Sequence, residues 1–424
     1  MTVKLKQNAL SYMKKRMKRF LLVLMAIALL VDLITMRAIN LFLENPSQLT
    51  TILISSIHWG ISAFFMITLF IAMIFTPGMR SASSSRKAFA LSGAFILFYI
   101  PKLIFVSFNV LDELIFQTAR FMQYDGEYML IVSWAGAVLA VIAFVSILFG
   151  IVNGKTNLKI TRRTVPSSSI PASFDGFKVV HISDLHLGSI PLSSHYPQKI
   201  ATLINQQKAD LILFTGDLIN NVSSEAEPWI EVLRSMQCKK GKFAITGNHD
   251  YGEYVDWQSE DEWRSDQQKL KAIFEKTGFK LLENQGILIE NNDEKIGILG
   301  VENWGIPPFP QYGNLQKALD DLDPTSYQIL MSHDPSHWEE EVLSKTNIGL
   351  TLSGHTHGFQ FGIMLNGKFQ WSPVQYKYPR WAGLYKENNQ YLNITRGLGY
   401  IGFPGRIGMP PEISVITLSK SNKN

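Results

Sequence analysis

Four long apolar stretches, at about 20–43, 49–75, 88–110 and 128–150, precede residue 151 of this 424-residue chain. Each is close to the ~20 residues that an α-helix needs to cross the hydrocarbon of a bilayer. Four in succession, separated by short polar loops, make residues 1–155 a membrane domain. The first stretch is too long for a cleavable signal peptide and no small-x-small site follows it, so it too is read as a span.

The positive charges give an orientation. Lys4, Lys6, Lys14, Lys15, Arg16, Lys18 and Arg19 precede the first span, Arg80, Arg86 and Lys87 lie between the second and third, and Lys155, Lys159, Arg162 and Arg163 follow the fourth. The other two loops carry Glu44, and Asp112, Glu113, Asp125 and Glu127 with only Arg120 in answer. Basic loops stay on the cytoplasmic side, so both ends of the chain are expected in the cytoplasm of a cell-membrane protein. Asp32, Arg37, His58 and Lys102 fall inside the spans. They read either as a polar cluster serving a ligand, ion or headgroup, or as snorkelling cations with Asp32 as a structural partner.

The formal charge of +5 joins two unlike parts, 14 Lys/Arg against 6 Asp/Glu in residues 1–155 and 26 against 29 in residues 156–424. The second part therefore lacks the basic surface of a nucleic-acid binder, and no nucleic-acid partner is expected. A single cysteine, Cys238, excludes an intrachain disulfide. Residues 151–174, with Asn153-Gly154, Pro166, Ser167 to Ser169 and Pro171, read as a joint, giving a linker at 156–174 and a second domain at 175–424.

Beyond the joint, short apolar runs at 177–182, 211–214, 242–246, 287–289, 296–299, 327–331, 348–352, 391–394 and 413–418 read as strands. Segments 198–207, 229–236, 267–276 and 315–322 have helical spacing. The alternation makes this a layered α/β domain. Polar residues cluster where runs end: Asp184 and His186; Gly216 and Asp217; Gly247, Asn248, His249 and Asp250; His333; and Gly354, His355, His357 and Gly358. Ligand sites in open α/β sheets gather beyond the carboxyl ends of strands, so all five clusters can face one crevice. Five of the nine histidines sit in these motifs. Carboxylate, imidazole and amide donors without thiolate suit Mn, Fe, Zn or Mg rather than a structural zinc. Asp184, His186, Asp217, Asn248, His333, His355 and His357 are more donors than one four-coordinate ion uses, so a pair of divalent metal ions sharing a carboxylate is expected.

These motifs, in this order, resemble the calcineurin-like metallophosphoesterase superfamily, and most closely its membrane-associated YkuE-like branch, over about residues 175–418. The resemblance implies a fold of two β-sheets sandwiched between helices. It implies that Asp184, His186 and His357 bind one metal, that Asn248, His333 and His355 bind the other, and that Asp217 bridges. It makes His249 the catalytic histidine that is not a ligand, with Asp250 as its orienting partner. One departure is Phe359, where the branch has the second glycine of Gly-His-Thr-His-Gly-Gly-Gln.

The chemistry expected is hydrolysis of a phosphoester or pyrophosphate bond by hydroxide that the two metals activate. Arg406, a cationic fork, and His337 are candidate substrate contacts. His181 reads as a packed structural histidine. A phosphorylated substrate that is itself lipid-linked best explains a hydrolase tethered to four spans. The competing reading is a membrane sensor or transporter whose metal-binding domain is regulatory and non-catalytic.

Overall fold

The computed structural model describes residues 3–43, 46–75, 81–124, 126, 130–307, 309–323, 327–365 and 369–421. Glu44, Arg80, Asp125 and Glu127 of the charge argument lie outside the described residues, as do the side chains of Lys4, Lys6 and Lys14. The chain divides into two compact units, residues 1–78 with 91–149 and residues 79–90 with 150–424.

The four expected spans correspond to four helices, α1 (Val3–Phe42), α2 (Gln48–Phe75), α3 (Ala82–Phe121) and α4 (Ile131–Val152), each long and apolar enough to cross a membrane. Helices α1 and α3 have 40 residues each, well beyond the expected stretches. At 1.5 Å per residue they are about 60 Å long, twice the ~30 Å hydrocarbon layer. Hydropathy registers only the lipid-soluble part, whereas Lys, Arg, Ala and Leu in the flanks continue the helix at little cost. Ala28, Val31, Phe65, Tyr99 and Val106 pack inside the first unit, while Leu30, Ile57, Phe64, Ile67 and Val141 are exposed. An exterior this apolar is what a bilayer solvates.

The second unit holds strands β1 (Lys159–Ser167), β2 (Lys178–Ile182), β3 (Leu211–Phe214), β4 (Lys242–Ala244), β5 (Phe279–Leu281), β6 (Gln285–Asn291) and β7 (Glu294–Gly300). They are followed by β8 (Tyr327–Met331), β9 (Leu350–Ser353), β10 (Ile363–Leu365), β11 (Phe369–Trp371), β12 (Gly383–Glu387), β13 (Gln390–Ile394) and β14 (Glu412–Lys420). One six-stranded sheet runs β1-β14-β2-β3-β4-β5 and the other β12-β13-β9-β8-β7-β6; β10 and β11 form a separate ribbon. Strands β2 to β5 are mutually parallel, as are β7, β8, β9 and β13.

Side chains alternate across each strand, so one set fills the gap between the sheets and the other faces helices. Val179, Leu211, Leu213 and Ile416 meet Ile298, Ile329, Met331, Leu350 and Leu352 in the central core. Val180, Ile182, Ile212 and Phe214 turn outward against α5 (Tyr196–Gln206), α6 (Ile230–Arg234) and α7 (Glu260–Thr277). Leu299, Leu330, Leu392 and Ile394 pack on the far side with α8 (Leu315–Leu319), Trp338 and Val342. The result is the sandwich of two sheets between helices. Helix α7 shows how local sequence sets its ends: Ser259 accepts the Glu262 N–H at its start, and Gly278, at φ 77°, closes it.

The expected linker at 156–174 instead contains β1, which pairs in parallel with β14 from Lys159↔Glu412 to Ser167↔Lys420. Its strand pattern is broken by Pro166, and only pairing with a segment some 250 residues later makes it a strand. Pro166 is tolerated because β1 is at the sheet edge. The turn residues 168–171 follow the strand rather than replace it.

Candidate metal centre

The parallel strands β2, β3 and β4 of one sheet and β8 and β9 of the other each end in a short loop that carries the polar motifs. Five of the motif residues leave their strands in the left-handed region: Asp184 (φ 53°), His186 (φ 45°), Asp217 (φ 59°), His355 (φ 68°) and His357 (φ 52°). Residues with side chains avoid this region at roughly 1–2 kcal/mol each, and such strain collects where function dictates geometry. The loops approach so closely that two glycines are required. A Cβ on Gly247 would lie 2.3 Å from Asp217 Oδ1, and one on Gly354 would lie 2.3 Å from Asp184 Oδ2.

The seven donors converge in two overlapping groups. Asp184, His186, Asp217 and His357 offer ligand atoms that all lie within 4.8 Å of one another. His357 Nε2 is 3.1 Å from His186 Nε2 and 3.3 Å from Asp184 Oδ1. On the other side, His333 Nε2 is 3.2 Å from Asp217 Oδ2, and His355 Nδ1 is 3.3 Å from His333 Nε2 and 2.9 Å from Asn248 Oδ1. Donors bonded at about 2.1 Å to one cation sit about 3.0 Å apart in an octahedron and about 3.4 Å apart in a tetrahedron. The observed spacings match those edges, and Asp217 belongs to both groups.

Neighbouring groups fix which atom of each ring or amide turns inward. His333 Nδ1–H donates to the Thr215 carbonyl at 2.7 Å, which leaves Nε2 as the free acceptor. Asn248 Nδ2 donates to Tyr254 Oη at 2.9 Å, so its carbonyl oxygen faces His355. His355 Nε2 lies 2.9 Å from Tyr378 Oη, leaving Nδ1 inward. Outer partners of this kind orient metal-binding side chains.

The charges suit cations as well. Burial holds His186 down at about 3 and His355 at about 4, outweighing the nearby carboxylates, so both rings are neutral acceptors. Burial alone raises Asp217, but His333 and His249 outweigh it and hold the carboxyl well below its usual range. His333 is the exception: burial lowers it, but the charge and hydrogen bond of Asp217 raise it to about 10. A cation in place of that proton meets the same carboxylate.

Three sequence-based assignments are corrected by the structure. Asp250 does not orient His249. Its two oxygens accept the backbone N–H groups of Gly247, Asp217, Leu218 and Ile219 at 2.8–3.2 Å, pinning the Asp217 loop to the Asn248 loop. His249 is instead oriented by the Asn220 carbonyl, which accepts its Nδ1–H at 2.7 Å. Arg406 is not at the surface. It is buried and donates to the carbonyls of Arg396, His357, Gly399 and Met409, a fork used to tie loops together. His337 is also away from the site: fully buried, it bonds Ser332 Oγ and Glu341 and stacks on Trp304. His181 is a buried structural histidine between Thr215 and Asn393, as its apolar context suggests.

An open pocket of about 310 Å³ lies over the donors, lined by Asp217, Asn248, His249, His355, His357, Phe309 and the buried Tyr378, with the exposed Phe359 and Lys377 at its mouth. Phe309 meets the His355 ring edge-on at 4.7 Å, and Lys377 lies over Phe309. Sequence reasoning missed Tyr254, Asn220, Phe309 and Lys377. They lie in irregular loops where nothing periodic marks them.

Within the first unit, Asp32 is fully buried and accepts from Lys102 Nζ at 2.7 Å and Tyr99 Oη at 2.8 Å. His58 Nε2 donates to the Asp32 carbonyl at 3.1 Å. Arg37 stands apart, paired with Glu113 at 3.1 Å. Both carboxylate oxygens of Asp32 are thus partnered by the unit's own side chains, which matches the structural-partner reading.

Comparison with known proteins agrees with these observations. The family described as calcineurin-like phosphoesterase matches residues 177–359. A second family, described as the transmembrane domain of a probable calcineurin-like phosphoesterase, matches residues 17–155. An uncharacterized metallophosphoesterase of Bacillus subtilis, YkuE, is 32% identical over 270 residues, covering 62% of this chain and 87% of the relative. A transmembrane protein with a metallophosphoesterase domain from Danio rerio is 25% identical over 360 residues, covering 83% of this chain and 77% of the relative.

Proposed function

The chain belongs to the calcineurin-like metallophosphoesterase family, and from that premise we propose that it is a membrane-anchored phosphohydrolase with two divalent cations in its site. Its favoured substrate is a phosphoester or pyrophosphate carried on a lipid. The observation that carries this reading is the convergence of seven donors in two groups that share Asp217. Cations bound there supply Lewis acidity toward phosphoryl oxygens and activate water at neutral pH.

The protein's own groups supply the rest. Asp184, His186 and His357 would hold one cation and Asn248, His333 and His355 the other, with Asp217 available to both. His249 lines the pocket with its Nδ1–H committed to Asn220, so Nε2 is the atom available to a phosphoryl or leaving oxygen. Burial lowers its proton affinity below that of a free imidazole, while the charge of Asp217 and the bond to the Asn220 carbonyl pull the other way. Lys377, at the pocket mouth, is placed to pair with phosphate in the part first given to Arg406.

His249→Ala is expected to cut turnover on a generic phosphodiester by about 10²–10⁴-fold while metal content stays at the parental level. Loss of metal from this variant would make His249 a ligand and overturn its role.

We further propose that the catalytic unit is cytoplasmic, on the positive charges flanking the spans. A reporter enzyme fused to the C-terminus should be active only in its cytoplasmic form; a periplasmic score would reverse the orientation.

A further inference from the structure

The β10–β11 ribbon has two unlike faces. Pairing sets Ile363 opposite Trp371 and Leu365 opposite Phe369 on one face, with Met364 opposite Gln370 on the other. The second face is only partly covered: Met364, still 37% exposed, has its Sδ against the Arg396 guanidinium, and the exposed Gln370 reaches the Ala382 carbonyl. The first is open, with Ile363 46%, Leu365 58% and Phe369 53% exposed and no charged side chain among its residues. It continues through Phe361, which meets Trp371 edge-on, to Phe359, which is 60% exposed and lines the mouth of the metal pocket. Phe359 and Gln360 both sit at φ 57°, so a bulky aromatic is held in a backbone conformation natural to glycine. Water-soluble proteins cover or charge such ribbons.

We propose that this face, Ile363, Leu365 and Phe369 with Phe361 and Phe359, enters the acyl region of the bilayer and steers a phosphoester bearing a long acyl or alkyl chain to the metal pocket. The occupant follows from the chain itself. A catalytic unit joined covalently to four membrane-spanning helices works within reach of a bilayer. Tyr376, 81% exposed, and the exposed Lys377 supply beside the pocket the aromatic and cationic side chains that favour a headgroup layer. The membrane contact stands on this surface alone, whereas the substrate half rests on the phosphohydrolase reading.

The contact is tested in the full chain, reconstituted in phosphatidylcholine–phosphatidylglycerol vesicles. Cys238 is the only cysteine, so Cys238→Ser with Leu365→Cys accepts a fluorophore at one site. Lipids brominated along their acyl chains should quench it several-fold more than a label on Lys239→Cys, whose side chain is 67% exposed. Quenching by aqueous iodide alone, or protection from both quenchers by a second copy of the chain, overturns the proposal.

The substrate half compares hexadecyl with ethyl p-nitrophenyl phosphate. In both, water cleaves the same P–O bond and releases nitrophenolate, and only the chain differs. Leu365→Ser with Phe369→Ser should slow the hexadecyl ester by about tenfold and leave the ethyl ester unchanged. An equal effect on both esters, or on neither, overturns the steering. A parent that hydrolyses neither ester sinks the phosphohydrolase reading and the steering with it, while the quenching result still decides the membrane contact.

Discussion

Asp217→Asn is expected to lower turnover on a soluble phosphodiester by at least about 10³-fold and to reduce bound metal, with little change in fold. Asp217 is the one residue that both donor groups share. Its Oδ2 lies 3.5 Å from His186 Nε2 and 3.2 Å from His333 Nε2, and its Oδ1 accepts the His249 backbone N–H at 2.9 Å. Two divalent cations held by these adjoining groups would repel each other strongly, and a carboxylate common to both groups would offset part of that repulsion. An isosteric amide keeps the volume but removes the charge. It also turns an N–H toward either the imidazoles or the His249 N–H. Metal analysis and turnover on the same preparation check the result, and a variant with parental metal content and rate would remove Asp217 from the bridge.

Asp250→Ala should produce the largest loss of stability in the catalytic unit, about 4 kcal/mol or more, seen as a large fall in the unfolding temperature of the purified chain. The side chain is fully buried and accepts four backbone N–H groups. Truncation leaves four buried donors without partners, at roughly 1–3 kcal/mol each before relaxation. Burial and the charge of Asp217 push Asp250 up to about 7, with the N–H bonds pulling the other way. Asp250→Asn, which keeps one accepting oxygen, should fall between parent and Asp250→Ala. A parental unfolding temperature for Asp250→Ala would refute the pinning role. The contrast with His249→Ala is direct, since the His249 side chain donates one hydrogen bond, to the Asn220 carbonyl, where Asp250 accepts four, and its loss should lower the unfolding temperature far less.

The motif Gly247-Asn248-His249-Asp250 shows how far the sequence could be read. Its residues stood out because polar groups follow the apolar run 242–246 at once, so the spacing alone pointed Asn248 and His249 to the crevice. The division of labour inside the motif was not legible. Asp250 looked like a partner of its sequence neighbour, yet its partners come mainly from residues 217–219, brought there by the β3–β4 pairing. Arg406 failed for the same reason. A cationic fork suits phosphate as well as it suits a structural partner, and only the packed loops reveal that four carbonyls already use it.

Strand β1 and the β10–β11 ribbon were missed because neither carries a local signal. The first depends on β14, at the far end of the chain. The second has three residues a strand, too few to show a period. The left-handed backbone at Asp184, His186, Asp217, His355 and His357 is likewise invisible before folding. The layered α/β class was readable because its apolar runs are short, alternate with helical segments and end in polar motifs, whereas the sandwich of two sheets was only what the family resemblance implied.

The central claim is that one site holds two cations. The most direct measurement is the metal-to-protein ratio of the purified, active full-length chain, determined by elemental analysis after removal of loosely bound ions. Two divalent ions per chain, falling as activity is lost to a chelator and restored together with it, is the expected result. An active chain that carries one ion or none would contradict it.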